Sequence, residues 1–142
     1  QIEIPIPVNR VATGSDKTVQ IIELLSVAWD ISGGNGVTLS QVQWQLTSAS
    51  RTLINSIAQV DTLAFYNNIH FGGIGFFIPL SGTIPLNDGG GHGILVGSTS
   101  LFLGLDTIAM TTVQTVAVAI MYRFKNVGIV EFMSLITQGS TI

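Results

Sequence analysis

Thr112–Lys125 reads TVQTVAVAIMYRFK, and its alternation decides the fold. In an extended chain Val116, Val118, Ile120, Tyr122 and Phe124 share one face. The other face holds Val113, Ala117, Ala119 and Met121, then Arg123 and Lys125. A period of two in β-branched and aromatic residues predicts one long strand. Downstream, Asn126–Gly128 reads as a turn and Ile129–Thr137 (IVEFMSLIT) as a strand running back. Upstream, Ser98–Asp106 alternates Leu101, Leu103 and Leu105 against Ser100, Phe102 and Gly104, and Ile94–Val96 is a shorter extended piece.

The first third repeats the pattern. Thr18–Asp30 (TVQIIELLSVAWD) puts Val19, Ile21, Leu25, Val27 and Trp29 on one face, interrupted by Glu23. Its opposite face, with Ile22, Leu24 and Ala28, is half apolar, so both sides are expected to be covered. Ser32–Gly36 (SGGNG) is a turn whose Asn-Gly pair favours positive φ. Gly36–Ser48 then sets Val42, Trp44 and Leu46 against Gln41, Gln43 and Gln45, a one-sided strand. Leu53–Tyr66 fits a short helix or a strand, ended by Asn67–Asn68. Phe71–Leu80 is strand-like but broken by Gly72, Gly73 and Gly75, and Pro85–Gly93 (PLNDGGGHG) is a loop. Pro5 and Pro7 confine the opening piece, within residues 1–10, to an extended arm or edge strand. The expectation is a single all-β domain over residues 1–142, an eight-stranded antiparallel jelly-roll sandwich with an N-terminal extended arm.

Composition bounds the function. Charged residues make up 9% of 142 and apolar residues 46%, against about 25% charged in an ordinary soluble domain. A monomer so poor in charge has little to keep it dissolved, so much of its surface is expected to lie against other copies. Val116–Tyr122 and Phe76–Leu80 are far shorter than the roughly 20 residues of a spanning helix. Aromatic residues, at 8%, are not grouped into the girdles of a membrane barrel. No membrane partner is expected.

Chemistry is sparse. With no cysteine, thiolate metal sites, disulfides and cysteine nucleophiles are excluded. His70 and His92 lack the close spacing of a paired-ligand motif, although Asp88 and His92 share one loop. Gly89–Gly93 opens no helix after a parallel strand, as a phosphate cradle requires. Glu23 and Glu131 stand alone in apolar segments, with Arg123, Lys125 or a neighbouring copy available to neutralise them. Trp29 and Trp44 alternate with apolar residues, which favours core packing over a sugar-binding face. No catalytic residues, metal or cofactor are predicted. Five cations and eight carboxylates give a net charge of −3 and no basic stripe. Arg123-Phe124-Lys125, two cations around an aromatic residue, reads as a nucleic-acid contact or a solvated strand end.

Three segments resemble the capsid proteins of small circular Rep-encoding single-stranded DNA viruses, the CRESS DNA viruses. They are Ile4–Arg10 (IPIPVNR) with Val19–Val27 (VQIIELLSV), Asp88–Leu103 (DGGGHGILVGSTSLFL) and Val116–Gln138 (VAVAIMYRFKNVGIVEFMSLITQ), in the family's order. Ser48–Leu80 shows no such likeness, and Ser26 stands where the family often places lysine. The resemblance implies a jelly roll that assembles with copies of itself into an icosahedral virion shell, in the simplest case of about sixty subunits, around circular single-stranded DNA. It also implies a basic N-terminal arm that binds the genome. That arm is absent from this sequence, and because the chain opens at Gln1 rather than Met, an upstream segment is expected. Within the chain, Arg10, Lys17, Arg123 and Lys125 are the candidate nucleic-acid contacts. The competing expectation is a lectin-like or ligand-type β-sandwich binding module in small oligomers, using Trp44 or the Asp88–His92 loop.

Overall fold

The computed structural model describes residues 1–8, 17–33, 36–51, 61–70 and 80–140. They form eight strands and one helix: β1 (Ile2–Pro5), β2 (Thr18–Gly33), β3 (Gly36–Thr47), β4 (Thr62–His70), β5 (Leu80–Pro85), β6 (Ile94–Val96), β7 (Ser100–Met110), β8 (Gln114–Gly128) and α1 (Ile129–Ser140). Every pairing is antiparallel. One sheet runs β1-β7-β3-β4. In the other, β2 lies between β8 on one side and β5 and β6, end to end, on the other. The chain is all-β apart from α1, with the two sheets packed face to face. Of the extended arm and the edge strand expected for the opening segment, it forms the edge strand β1, ending at Pro5, and the Ile6 amide beyond it still donates to Thr99 O at 3.0 Å.

Side-chain alternation builds the core between the sheets. Val42, Trp44 and Leu46 of β3, and Leu101 and Leu103 of β7, point inward as their spacing predicts. The Trp29 ring lies 5.9 Å from that of Trp44 and 4.1 Å from that of Tyr66, so both tryptophans are core residues. The far face of β3 is a polar ladder. Gln45 Nε2 donates to Thr62 Oγ1 at 2.6 Å, Gln43 Nε2 to Asp106 Oδ2 at 3.1 Å, and Gln41 Nε2 to Asn67 Oδ1 at 2.9 Å.

Four expectations need correction. The inward residues of β2 are Ile22, Leu24, Val27, Trp29 and Ile31, because a β-bulge between Leu24 and Ser26 inserts Leu25 and shifts the alternation halfway along the strand. Asn67–Asn68 does not end β4, which continues to His70; as an edge strand it can carry amides toward solvent and toward Gln41. β8 likewise runs through Asn126 to Gly128. Ile129–Thr137 is helix, not strand, and its half-buried residues Phe132 and Leu135 stand three apart, about one helical turn. Glu131 stands in its first turn, where the positive end of the helix dipole favours a carboxylate. β5 was not foreseen: residues 81–84 carry no clear alternation, and Pro85 reads as the start of the glycine-rich loop. Residues 53–60 and Phe71–Pro79, read as helix or strand, lie outside the described residues.

Val19, Ile21 and Val127 are buried as well, but outside the cluster between the sheets. We attribute this second patch to α1, which touches β2 and β8. The helix half-buries Phe132 and Leu135, with Leu135 against Gly97. It leaves Ile129, Val130, Met133 and Ile136 exposed. Among the described residues no helix is long and apolar enough to cross a membrane.

Candidate functional site

The bulge in β2 is where the glycine-rich loop leaves the sheet. β5 ends at Pro85, opposite Ser26, and β6 begins at Ile94, opposite Leu24. The bulged Leu25 therefore has no ladder partner for its carbonyl, which accepts instead from the Leu86 amide at 2.9 Å. From there Leu86–Gly93 closes on itself. The Asp88 amide donates to His92 O at 2.9 Å, and Asp88 Oδ1 accepts from the amides of Gly90 (2.8 Å) and His92 (3.1 Å). His92 Nδ1 lies 3.1 Å from Asp88 Oδ2. Gly89 and Gly91 sit at φ +78° and +90°, backbone that other residues rarely adopt. At Gly93 a Cβ would stand 2.0 Å from the Leu24 carbonyl oxygen. Glycine is thus required where the loop rejoins the sheet.

Glu23 ties this loop down. Its side chain is 1% exposed, which would be costly for a lone carboxylate. Two donors from two other segments hold it, and a third bond ties its partner Arg123 to the loop. Arg123, directly opposite on β8, donates Nε to Glu23 Oε2 at 2.5 Å. The Gly93 amide donates to Glu23 Oε1 at 2.7 Å, and Arg123 Nη2 donates to Gly91 O at 2.7 Å. The Arg123 bond and, after it, the Gly93 amide pull the Glu23 carboxyl from an ordinary 4.5 to about 2, against the opposing effect of burial. The same pairing raises the Arg123 guanidinium. The Asp88 carboxyl is lowered, first by the His92 amide and then by that of Gly90. Of the neutralising partners left open for Glu23, namely Arg123, Lys125 or a neighbouring copy, the fold supplies Arg123.

The candidate nucleic-acid contacts are placed unevenly. Arg123 and Lys125 face the same way, opposite Glu23 and Ile21, on the side of the sheet away from the core. Phe124 pairs with Ile22 on the other face and meets Tyr122 edge-on at 5.6 Å. The two cations therefore do not flank the aromatic ring on one surface. Lys17 is exposed at φ +47°, just before Thr18, which pairs with Gly128; it shares an end of the β2–β8 ladder with the other two. Arg10 lies outside the described residues. Neither Lys17 nor Lys125 has an ion-pair partner among the described residues, whereas Arg123 is committed to Glu23 and Gly91.

Sequence reading gave no role to a second clamp. Arg51 holds the buried Asp61 through two bonds, Nε to Oδ2 at 2.7 Å and Nη2 to Oδ1 at 2.6 Å, and the aspartate raises its guanidinium. Ten positions separate the two, at the end of one described segment and the start of the next. That distance leaves no periodic signal. Among the described residues no three His, Asp or Glu side chains gather to hold a metal ion. Asp88 and His92, the pair considered for a ligand, bond to each other, and Asp88 also to the backbone of their own loop. What the site does is join β2, β8 and the glycine loop through one ion pair whose carboxylate is buried. No protein-family model, curated protein or solved structure matches the chain.

Proposed function

We propose that this protein is the subunit of a virion shell, a jelly-roll capsid protein that assembles with copies of itself into an icosahedral particle around circular single-stranded DNA. It is a structural protein rather than an enzyme. The observation that carries this reading is the apolar surface left outside the fold. Met121 is 62% exposed on the outer face of β8, Tyr122 and Phe124 are exposed on its other face, and on α1 Val130 is 83% and Met133 57% exposed, with Ile129 and Ile136 exposed as well. A chain that is 9% charged offers little to hydrate so much apolar surface, and covering it with other copies removes the cost. The three segments resembling CRESS DNA virus capsid proteins support the same reading. So does the fold, since two antiparallel sheets with a latched loop make a rigid building block.

Within the chain, Lys17 and Lys125 are the genome contacts of this proposal, together with Arg10 and with the half-exposed Arg123 as a secondary one. An upstream basic arm supplies the rest.

The test is assembly. Light scattering and electron microscopy of the purified chain are expected to give closed particles of uniform size. Single-stranded DNA binding that weakens steeply with salt is expected alongside, with Lys17→Ala and Lys125→Ala each lowering the salt slope by about one. A monomer that persists at high micromolar concentration would overturn the proposal.

A further inference from the structure

β8 is 15 residues long and hydrogen-bonds to β2 alone among the described strands. At about 3.4 Å per residue its free side is an edge of roughly 50 Å. Natural edges are shortened or interrupted by proline or charge. β1 is an example, four residues long with Glu3 and Pro5. Val116–Tyr122 carries neither device. Such an edge is a template for another strand.

The residues of β8 say which strand. Its first half is small, Val116, Ala117, Val118 and Ala119; its second is large, Met121, Tyr122, Arg123 and Phe124, with Ile120 between. Turned antiparallel against itself about Ile120, the strand sets every large residue opposite a small one. Met121 meets Ala119, Tyr122 meets Val118, Arg123 meets Ala117, and Phe124 meets Val116. Charge agrees with size. A parallel pairing would stack Arg123 on Arg123 and Lys125 on Lys125 about 5 Å apart, whereas the antiparallel one separates the two arginines by about 20 Å. The face carrying Val118, Ile120 and Tyr122 also borders an apolar groove of about 370 Å³, shared with Ile4 and Ile6 across the gap between the two sheets.

We propose that two copies of this chain join by antiparallel pairing of their β8 edges about a two-fold axis at Ile120, with Tyr122 of each copy opposite Val118 of the other. The pairing merges two sheets into one continuous sheet. It deepens the assembly reading and rests on it only for self-association, not for the shell or the genome.

The absence of cysteine makes the test direct. At a two-fold centre the facing Cα atoms stand about 4.5–5.5 Å apart, within the reach of a disulfide. Mild oxidation of Ile120→Cys is expected to give a covalent dimer in high yield, while Ala117→Cys, with thiols about 20 Å apart, gives little. Val118→Cys and Tyr122→Cys are expected to cross-link when mixed but not separately, and this mixture reads the same register should Ile120→Cys not fold. Circular dichroism checks the fold of each variant, and light scattering follows assembly. Particles that form without an Ile120 cross-link, or with a stronger one at another position, would overturn the edge pairing and leave the assembly reading standing. A chain that stays monomeric would overturn both.

Discussion

β3 and β8 are both long, apolar and alternating, yet the fold treats them differently. β3 sits inside its sheet with a ladder on each side. It sends Val42, Trp44 and Leu46 into the core, and its glutamines find partners in Thr62, Asp106 and Asn67. β8 has one ladder. Its inward residues Val116, Val118 and Ile120 are only half-buried, and Met121, Tyr122 and Phe124 are exposed. The difference separates residues that hold the fold together from residues that remain for an outside contact. Hydrophobicity alone does not distinguish them.

The contrast is broken most severely at Trp44. Trp44→Ala removes a fully buried indole at the meeting of Trp29 and β3 and is expected to cost about 3–5 kcal/mol in denaturant unfolding. Trp44→Phe is expected to cost less than the alanine change. The indole Nε1 finds no acceptor among the described residues, so the smaller ring also removes an unsatisfied donor.

At the latch that secures β8 to the glycine loop the effect is smaller and depends on pH. The folded carboxyl of Glu23 lies at about 2, below its ordinary 4.5. Its stabilisation is therefore complete above pH 4.5 and is lost as the pH falls toward 2. Glu23→Gln is expected to lower the melting temperature at pH 7, and the gap to the parent chain is expected to close across that acid range. A constant gap would show that the ion pair is not its source.

The least effect on the fold is expected on the exposed side of β8. Met121→Lys should change unfolding free energy by no more than about 0.5 kcal/mol, while size-exclusion chromatography shows association weakened. Loss of the fold with it would mean that β8 is covered within the chain.

The sequence carried local information well and long-range information poorly. The alternation of Val42, Trp44 and Leu46 against glutamines named a core face without help from any other strand. The bulge at Leu25 has no local sign, because Leu25 is as apolar as Leu24 before it; only the ladder to β8 and the loop bonded to its carbonyl place it. Ile129–Ile136 satisfies both a strand composition and a helical spacing, and composition alone does not choose between them. Glu23 and Arg123 were both legible as isolated charges, and their partnership as a plausible neutralisation. Register, which sets them opposite each other 100 positions apart, is not a local property. Nor is position within a sheet, so the sequence could not distinguish β3 as interior from β8 as edge.

The bulge also governs which surface each half of β2 shows. On one side of Leu25 the chain turns Val19, Ile21 and Glu23 away from the core; on the other it turns Ser26, Ala28 and Asp30 away. Were Leu25 an ordinary rung of the ladder rather than a bulge, the period of two would run unbroken and turn one half inside out, either placing Glu23 among the tryptophans or sending Trp29 into solvent. The spacer is one residue long, and the polarity of a sixteen-residue strand hinges on it.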